Sequence, residues 1–223
     1  MEKTIRVTGK GKLAVKPDTI RLILTFEGMQ DEYDRAVKQS AEMTEEMKTL
    51  FEGLGFERSK LKTVYFNVSS EFESYQAKDK SWKRRFEGYK FVHRTKIEFT
   101  SDNEMLGKVL YAVGHASIHP EFNIEYTVAD TEKSKNELLG NAVKDSMAKA
   151  NVLASAAGVE LGDIFNIDYS WAEIDFISRP MNRMMLEECC MSAPMEADAS
   201  YDIDIEPDDI EVSDNVTVVW KIK

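Results

Sequence analysis

The chain's two cysteines, Cys189 and Cys190, stand side by side in the stretch RPMNRMMLEECCMSAPM, residues 179–195. Five methionines, Met181, Met184, Met185, Met191 and Met195, surround them. Thiolates and thioethers are soft ligands that suit Cu(I). Cys189, Cys190, Met184, Met185 and Met191 are therefore the candidates for a soft-metal or redox-responsive site. Two features oppose that chemistry. Adjacent cysteines converge poorly on tetrahedral zinc, where roughly two to four intervening residues are usual. Glu187 and Glu188, next to the pair, hinder thiolate formation, which electropositive surroundings promote. The plainer reading is an apolar contact surface made by Met181, Met184, Met185, Leu186, Met191 and Met195, whose flexible side chains adapt to a partner. Packing or assembly is the expectation here, soft metal is the alternative, and incidental thiol oxidation lies between them.

Other candidates are thinner. His115 and His119 are four apart, but Pro120 and the expected helix end at Gly114 make a shared helical face doubtful, and His93 stands alone in a strand pattern. Structural roles are expected for all three. No nucleophile elbow and no H-E-x-x-H occurs. The acidic run 202–209 lacks the central Gly and terminal Glu of an EF-hand loop. Its alternating Ile203 and Ile205 read more easily as an edge strand guarded by charge. Gly9-Lys10-Gly11-Lys12 lacks the glycine spacing and the following helix that a phosphate cradle needs. No catalytic residue, small-molecule substrate or cofactor is nominated, and the expectation is that the protein is not an enzyme.

The elements that must position these residues follow from hydrophobic period. Residues 5–15 and 20–27 alternate apolar and polar side chains around Pro17, which predicts a hairpin or neighbouring strands. Gly9 and Gly11 inside the first strand point to a bulge or a close backbone approach. Residues 31–54 take a helical period, with Tyr33, Val37, Ser40, Met43, Met47, Leu50, Phe51 and Leu54 on one stripe and Met43 and Met47 as core filler. Two strands over 62–75 and 86–100 flank the basic run KDKSWKRR, residues 78–85, read as a solvated hairpin tip rather than an anion contact. The spacing of Ser101 and Glu104 suits a capping box that opens a short helix. A strand over 122–128, a long helix over 131–157 closed by Gly158, and strands over 164–171 and 212–222 complete the order. The apolar face of the long helix is Leu138, Leu139, Ala142, Val143, Met147, Ala150, Leu153, Ala154 and Ala157, with small residues that permit close packing. Between the last two strands, residues 172–209 have no sustained period, an unusually long connection for a compact domain. Mixed order with adjacent antiparallel pairs predicts an α+β fold: a mainly antiparallel sheet packed by one long and two shorter helices.

Bulk properties narrow the function classes. The 223 residues are 43% hydrophobic and 10% aromatic, enough for a proper core in one domain spanning 1–223 or two α+β subdomains, about 1–100 and 101–223. A net charge of −11 makes an acidic surface that repels a phosphate backbone, so nucleic acid is not an expected partner. No apolar run is long enough to span a bilayer. The first residues enter a strand pattern without a secretory h-region, so the expected location is cytoplasmic, or periplasmic or cell-envelope if a leader has been removed. Two adjacent cysteines make no disulfide framework and demand no oxidising compartment.

Four phrases carry a family resemblance across nearly the whole chain: VTGKGKLAVKPDTIRLILTFEG at 7–28, EGYKFVHRTKIEF at 87–99, AKANVLASAAGVELGDIFNIDYS at 148–170 and EPDDIEVSDNVTVVWKI at 206–222. They resemble the SIMPL-domain family, whose bacterial members include periplasmic immunogenic proteins. The resemblance implies an α+β protein without an established reaction, in a family where some members are linked to oxidative-stress tolerance and most are exported. It transfers no catalytic residue. Asp208 stands where the family often has Gly, and the Cys189-Cys190 pair is not a family habit, whereas a Met-rich loop before the last strand is. The combined expectation is a non-enzymatic protein that self-associates as a homo-oligomer, with residues 172–209 making subunit contacts.

Overall fold

The computed structural model describes residues 3–169, 174–179 and 200–223. In chain order these form β1 (Thr4–Val15), β2 (Thr19–Gln30), α1 (Tyr33–Gly53), β3 (Lys62–Gln76), β4 (Trp82–Thr100), α2 (Asn103–Gly114), β5 (Glu121–Thr127), α3 (Thr131–Ala157), β6 (Leu161–Asp168), β7 (Ile177–Ser178) and β8 (Ile210–Ile222). Three helices and two antiparallel sheets make the fold α+β, as the element order predicts. The chain divides into two units, each assembled from separated segments: residues 1–18, 126–178 and 207–223 in the first, and 19–125 and 179–206 in the second.

The first unit holds a three-stranded sheet in the order β1-β8-β6. β1 and β8 pair in unbroken antiparallel register from Thr4↔Lys221 to Val15↔Ile210. Val7, Val216, Val218 and Trp220 from this sheet share a buried cluster with Ala142 and Ala150 of α3. The buried stripe of α3 is Ser134, Leu138, Ala142, Ser146, Ala150 and Ala154, an i, i+4 row of mostly small residues. That row explains Gly9 and Gly11. A Cβ on Gly9 would lie 2.0 Å from the Ala142 carbonyl oxygen, and one on Gly11 2.2 Å from that of Leu138. The two glycines therefore mark a close backbone approach, with no bulge in the register. Met147 and Leu153, expected on the apolar face, are about half exposed because the stripe runs straight and leaves them at its sides. Asp130 caps the start of α3 by accepting from the Lys133 N–H, and Gly158 closes it in the left-handed conformation at φ 69°.

In the second unit β3, β4, β2 and β5 lie side by side in that order, and α1 packs on β2 and β4. Ile20, Leu22, Leu24 and Phe26 of β2 and Phe91 and Ile97 of β4 are fully buried, together with Met47 and Phe51 of α1. The buried stripe of α1 is Ala36, Ser40, Thr44, Met47 and Phe51, rotated slightly from the expected one, so Met47 is core filler while Met43 is only half-buried. α2 is capped by Asp102, which accepts from the Glu104 N–H, rather than by Ser101.

Two further expectations change. β1 and β2 are not a hairpin: they belong to different sheets, β1 pairing with β8 and β2 with β4. Pro17 and Asp18 separate them, the Asp18 N–H donates to the Thr127 carbonyl, and its side chain accepts from the Ala129 N–H, so the turn is tied to a distant segment of its own unit. Residues 202–209 form no strand. Ile203 and Ile205 are half-buried and Asp202, Asp204 and Glu206 exposed, so the alternation survives without ladder pairing.

Candidate functional site

Met181, Met184, Met185, Leu186, Cys189, Cys190, Met191 and Met195 all lie outside the described residues, as does most of the 172–209 connection. Its two flanks are described, and the residues nearest the gap, Arg179 and 200–206, belong to the second unit. On the leading side, Arg179 Nε donates to Glu125 Oε1 at 2.7 Å. Glu125 is buried, and its other oxygen lies 3.6 Å from Arg21 Nη1. Arg21 also donates to Glu98 at 2.7 Å, where Lys96 Nζ joins at 3.0 Å. Burial alone would raise the Glu98 carboxyl, but the hydrogen bonds and charges of Arg21 and Lys96 outweigh it and hold that carboxyl below its ordinary value. On the trailing side, the Tyr201 N–H donates to the Gly107 carbonyl at 3.3 Å. A Cβ on Gly107 would come within 2.2 Å of the Tyr201 carbonyl oxygen. The Tyr201 ring rests on Tyr111 at 5.4 Å, and Tyr111 stacks on His115 at 4.0 Å. An ion pair and an aromatic cluster thus hold the two flanks.

His93 is not alone. It sits on β4 with Nδ1 3.0 Å from both Ser40 Oγ and Thr44 Oγ1, and with Nε2 2.8 Å from Thr63 Oγ1. Phe26 and Phe66 meet its ring edge-on. Burial, assisted by the Lys48 charge, pushes the imidazole below its ordinary pKa, so the neutral ring is the resident form. Hydroxyls satisfy either tautomer, because each can donate or accept. Ser40 beside a histidine suggests nucleophilic chemistry, but Ser40 is 1% exposed and no carboxylate orients the ring. The structural role predicted for His93 fits this cage. Sequence reading missed Ser40, Thr44 and Thr63 as its partners. The signal was the pair of small hydroxyls, Ser40 and Thr44, four apart on the buried side of α1. His115 closes α2, its Nδ1 lying 2.8 Å from the Tyr111 carbonyl oxygen, and no contact brings it to His119.

Among the described residues no cluster of three or more His, Cys, Asp or Glu side chains is arranged to hold a metal. An open depression of about 620 Å³ on α1 is lined by Glu42, Glu45, Glu46, Thr49 and Leu50. All three of its carboxylates are engaged, Glu42 by Lys38, Glu45 by Arg58 and Glu46 by the Ser117 hydroxyl. No helix of the described residues is long and apolar enough to cross a membrane.

Only the first half of the basic run, residues 78–81, is a hairpin tip; Trp82, Lys83, Arg84 and Arg85 open β4, which starts earlier than its pattern predicts. The Ala77 N–H donates to the Ser81 carbonyl and the Lys80 N–H to that of Ala77, with Lys80 at φ 64°. What the sequence reading left out is the ribbon beneath. β2 pairs with β4 only as far as Gln30↔Tyr89, whereas β3 and β4 continue together to Gln76↔Trp82. Their outer part is therefore two strands, with no third strand paired to it among the described residues. Alternation places Phe72, Phe86, Arg84 and Trp82 on one face, and Glu73, Arg85, Tyr75 and Lys83 on the other. Phe72 and Phe86 meet at 5.7 Å, Phe86 and Tyr89 at 5.1 Å, and Tyr89 and Tyr33 at 5.6 Å, while the Arg84 guanidinium lies over Phe72 at 4.7 Å. Trp82 is 73% exposed. In the first unit, the edge strand β6 likewise exposes Ile164, Phe165 and Ile167.

A comparison with curated proteins gives no match. The family model described as SIMPL, protein of unknown function (DUF541), matches residues 5–220, from the second residue of β1 to Trp220 in β8. That span takes in both sheets, the glycine-lined α3 contact and the β3–β4 ribbon, and the chain belongs to the SIMPL family.

Proposed function

We propose that this SIMPL protein is non-enzymatic and acts as a self-associating assembly, with the edge of β6 as a contact between copies. The observation that carries the reading is this edge. β6 ends the β1-β8-β6 sheet, so one side of its backbone has no neighbouring strand among the described residues. Ile164, Phe165 and Ile167 on it are 43%, 57% and 47% exposed. A sheet edge with unprotected N–H and C=O groups and apolar side chains invites pairing with another chain, and natural edges of this kind are usually blunted by charge or covered. The partly apolar connection 172–209 adds to that contact in this reading. A link to stress tolerance rests on the family resemblance alone, and the soft-metal alternative on Cys189, Cys190 and the neighbouring methionines of the sequence.

Light scattering after gel filtration of the full chain tests the assembly. The wild type is expected to elute as more than one subunit, and the Phe165→Lys/Ile167→Lys variant as a monomer with unchanged helix content by circular dichroism. A wild type that is strictly monomeric at working concentration overturns the reading, as does an unchanged subunit number in the variant. Anaerobic Cu(I) titration of the wild type against Cys189→Ser/Cys190→Ser decides the alternative: equal uptake eliminates the sulfur site.

A further inference from the structure

The outer β3–β4 ribbon joins three properties that its role in the fold does not require. Residues 78–85 hold five cations, Lys78, Lys80, Lys83, Arg84 and Arg85, against the single anion Asp79, in a chain whose net charge is −11. One ribbon face is aromatic, with Phe72 and Phe86 each more than 40% exposed and Trp82 at 73%. The ribbon also projects. From Phe72↔Phe86 to Gln76↔Trp82 it advances about 14 Å at ~3.4 Å per residue, beyond the last pairing of β2 and before the turn is added.

We propose that this ribbon docks on an anionic lipid surface, its cations at the headgroups and Trp82, Phe72 and Phe86 at the boundary with the acyl chains. The charge contrast selects an anionic occupant. A largely acidic chain is repelled by such a surface as a whole, but repulsion between exposed charges fades over about 8–10 Å at ordinary ionic strength, and the ribbon is longer than that. Tryptophan and other aromatic side chains favour the interfacial zone, where an apolar ring and a polar edge are both satisfied. Lysine and arginine add attraction that accumulates residue by residue at an anionic leaflet. A second copy of the chain is the poorer fit. A stable protein interface takes roughly 20–30 residues from each side, more than one face of the ribbon 72–86 supplies. Nucleic acid also meets cations and aromatic faces, but a duplex or long strand would run along the acidic remainder of the chain. The docking uses no residue of β6, and the two surfaces belong to different units.

The test is flotation of the full chain with vesicles of 30% phosphatidylglycerol in phosphatidylcholine, against pure phosphatidylcholine, at about 0.1 M salt. The wild type is expected to float with the anionic vesicles and not with the neutral ones, and the Trp82 emission, isolated by subtracting the Trp82→Ala spectrum, to shift to the blue. Lys83→Gln/Arg84→Gln/Arg85→Gln should weaken partitioning about 100-fold, and Trp82→Ala roughly tenfold. Lys78→Gln/Lys80→Gln, at the turn and outside the ribbon's Arg85–Glu73 ion pair, keeps the test open should the triple variant misfold. Failure to float with anionic vesicles overturns the proposal, as does flotation of the Lys78/Lys80 and triple variants equal to that of the wild type. It is equally overturned if the ribbon substitutions leave flotation intact but change the subunit number, or if single-stranded RNA, and not vesicles, produces the fluorescence shift.

Discussion

Each of the two units sets a helix against a sheet, and they do it with opposite materials. In the first, α3 presents Leu138, Ala142, Ser146 and Ala150 to β1, which answers with Gly9 and Gly11, so backbone meets backbone. In the second, α1 presents Met47 and Phe51 to a sheet lined by Leu22, Leu24, Phe26 and Phe91, so side chain meets side chain. The first contact depends on clearance and the second on volume. Close backbone approach leaves no room for an added atom, whereas a core of large side chains tolerates exchange at constant volume and suffers when volume is removed.

The largest expected effect separates the two at once. Gly9→Val places a branched side chain where a single Cβ already lies 2.0 Å from a carbonyl oxygen. It should cost about 4 kcal/mol or more, or abolish cooperative unfolding, in a urea titration. A cost below about 1 kcal/mol would mean that α3 can slide away and that clearance is not what holds the first unit. Next comes volume in the second unit. Phe26→Ala should cost about 3–5 kcal/mol, while Met47→Leu, close in volume, should cost less than about 1.5. Similar costs for the two would refute the contrast.

The smallest effect is a pH slope belonging to the second unit. Burial holds the His93 imidazole below its ordinary pKa of 6.5, so between those two values the unfolded chain binds more protons than the folded one. The stability associated with neutral His93 is fully present above about 6.5 and is lost as pH falls below it towards the folded pKa. His93→Asn should remove that slope, as read from unfolding midpoints at pH 7.5 and 5.0, with the accompanying change in hydrogen exchange centred on α1 and β4. An undiminished slope in the variant would place the titration elsewhere.

Local pattern predicted most of the elements. The helix over 131–157 is found with those bounds and with Gly158 as its cap, because period, capping residue and glycine all act within a few residues of one another. The hairpin tip was equally local, though it is confined to 78–81 because 82–85 pair as strand with 73–76. The stripe of α3 was only partly legible, because which of several apolar rows faces inward depends on the groove that receives it. Gly9 and Gly11 signalled close approach, but not to what. The cage around His93 was harder still. Its hydroxyls come from Ser40, Thr44 and Thr63, on α1 and β3, and no spacing rule joins those positions to a histidine on β4. The aromatic face of the ribbon was readable in principle, since Phe72 and Phe86, like Gln76 and Trp82, are equidistant from the turn.

By itself the sequence determined the α+β class, the family, the position of nearly every helix and strand, and the contrast between a basic tip and an acidic chain. These depend on periodicity, capping and charge, which act along the chain or simply add up. Tertiary structure decided the partners. β1 and β2, adjacent and alternating like the arms of a hairpin, went to different sheets, β1 pairing with a strand about 200 residues away in the chain. A strand's hydrogen-bonding edge carries almost no label of its own. Its partner is selected by the faces both strands must bury, and here α3 can come down on β1 because Gly9 and Gly11 carry no Cβ to meet its backbone.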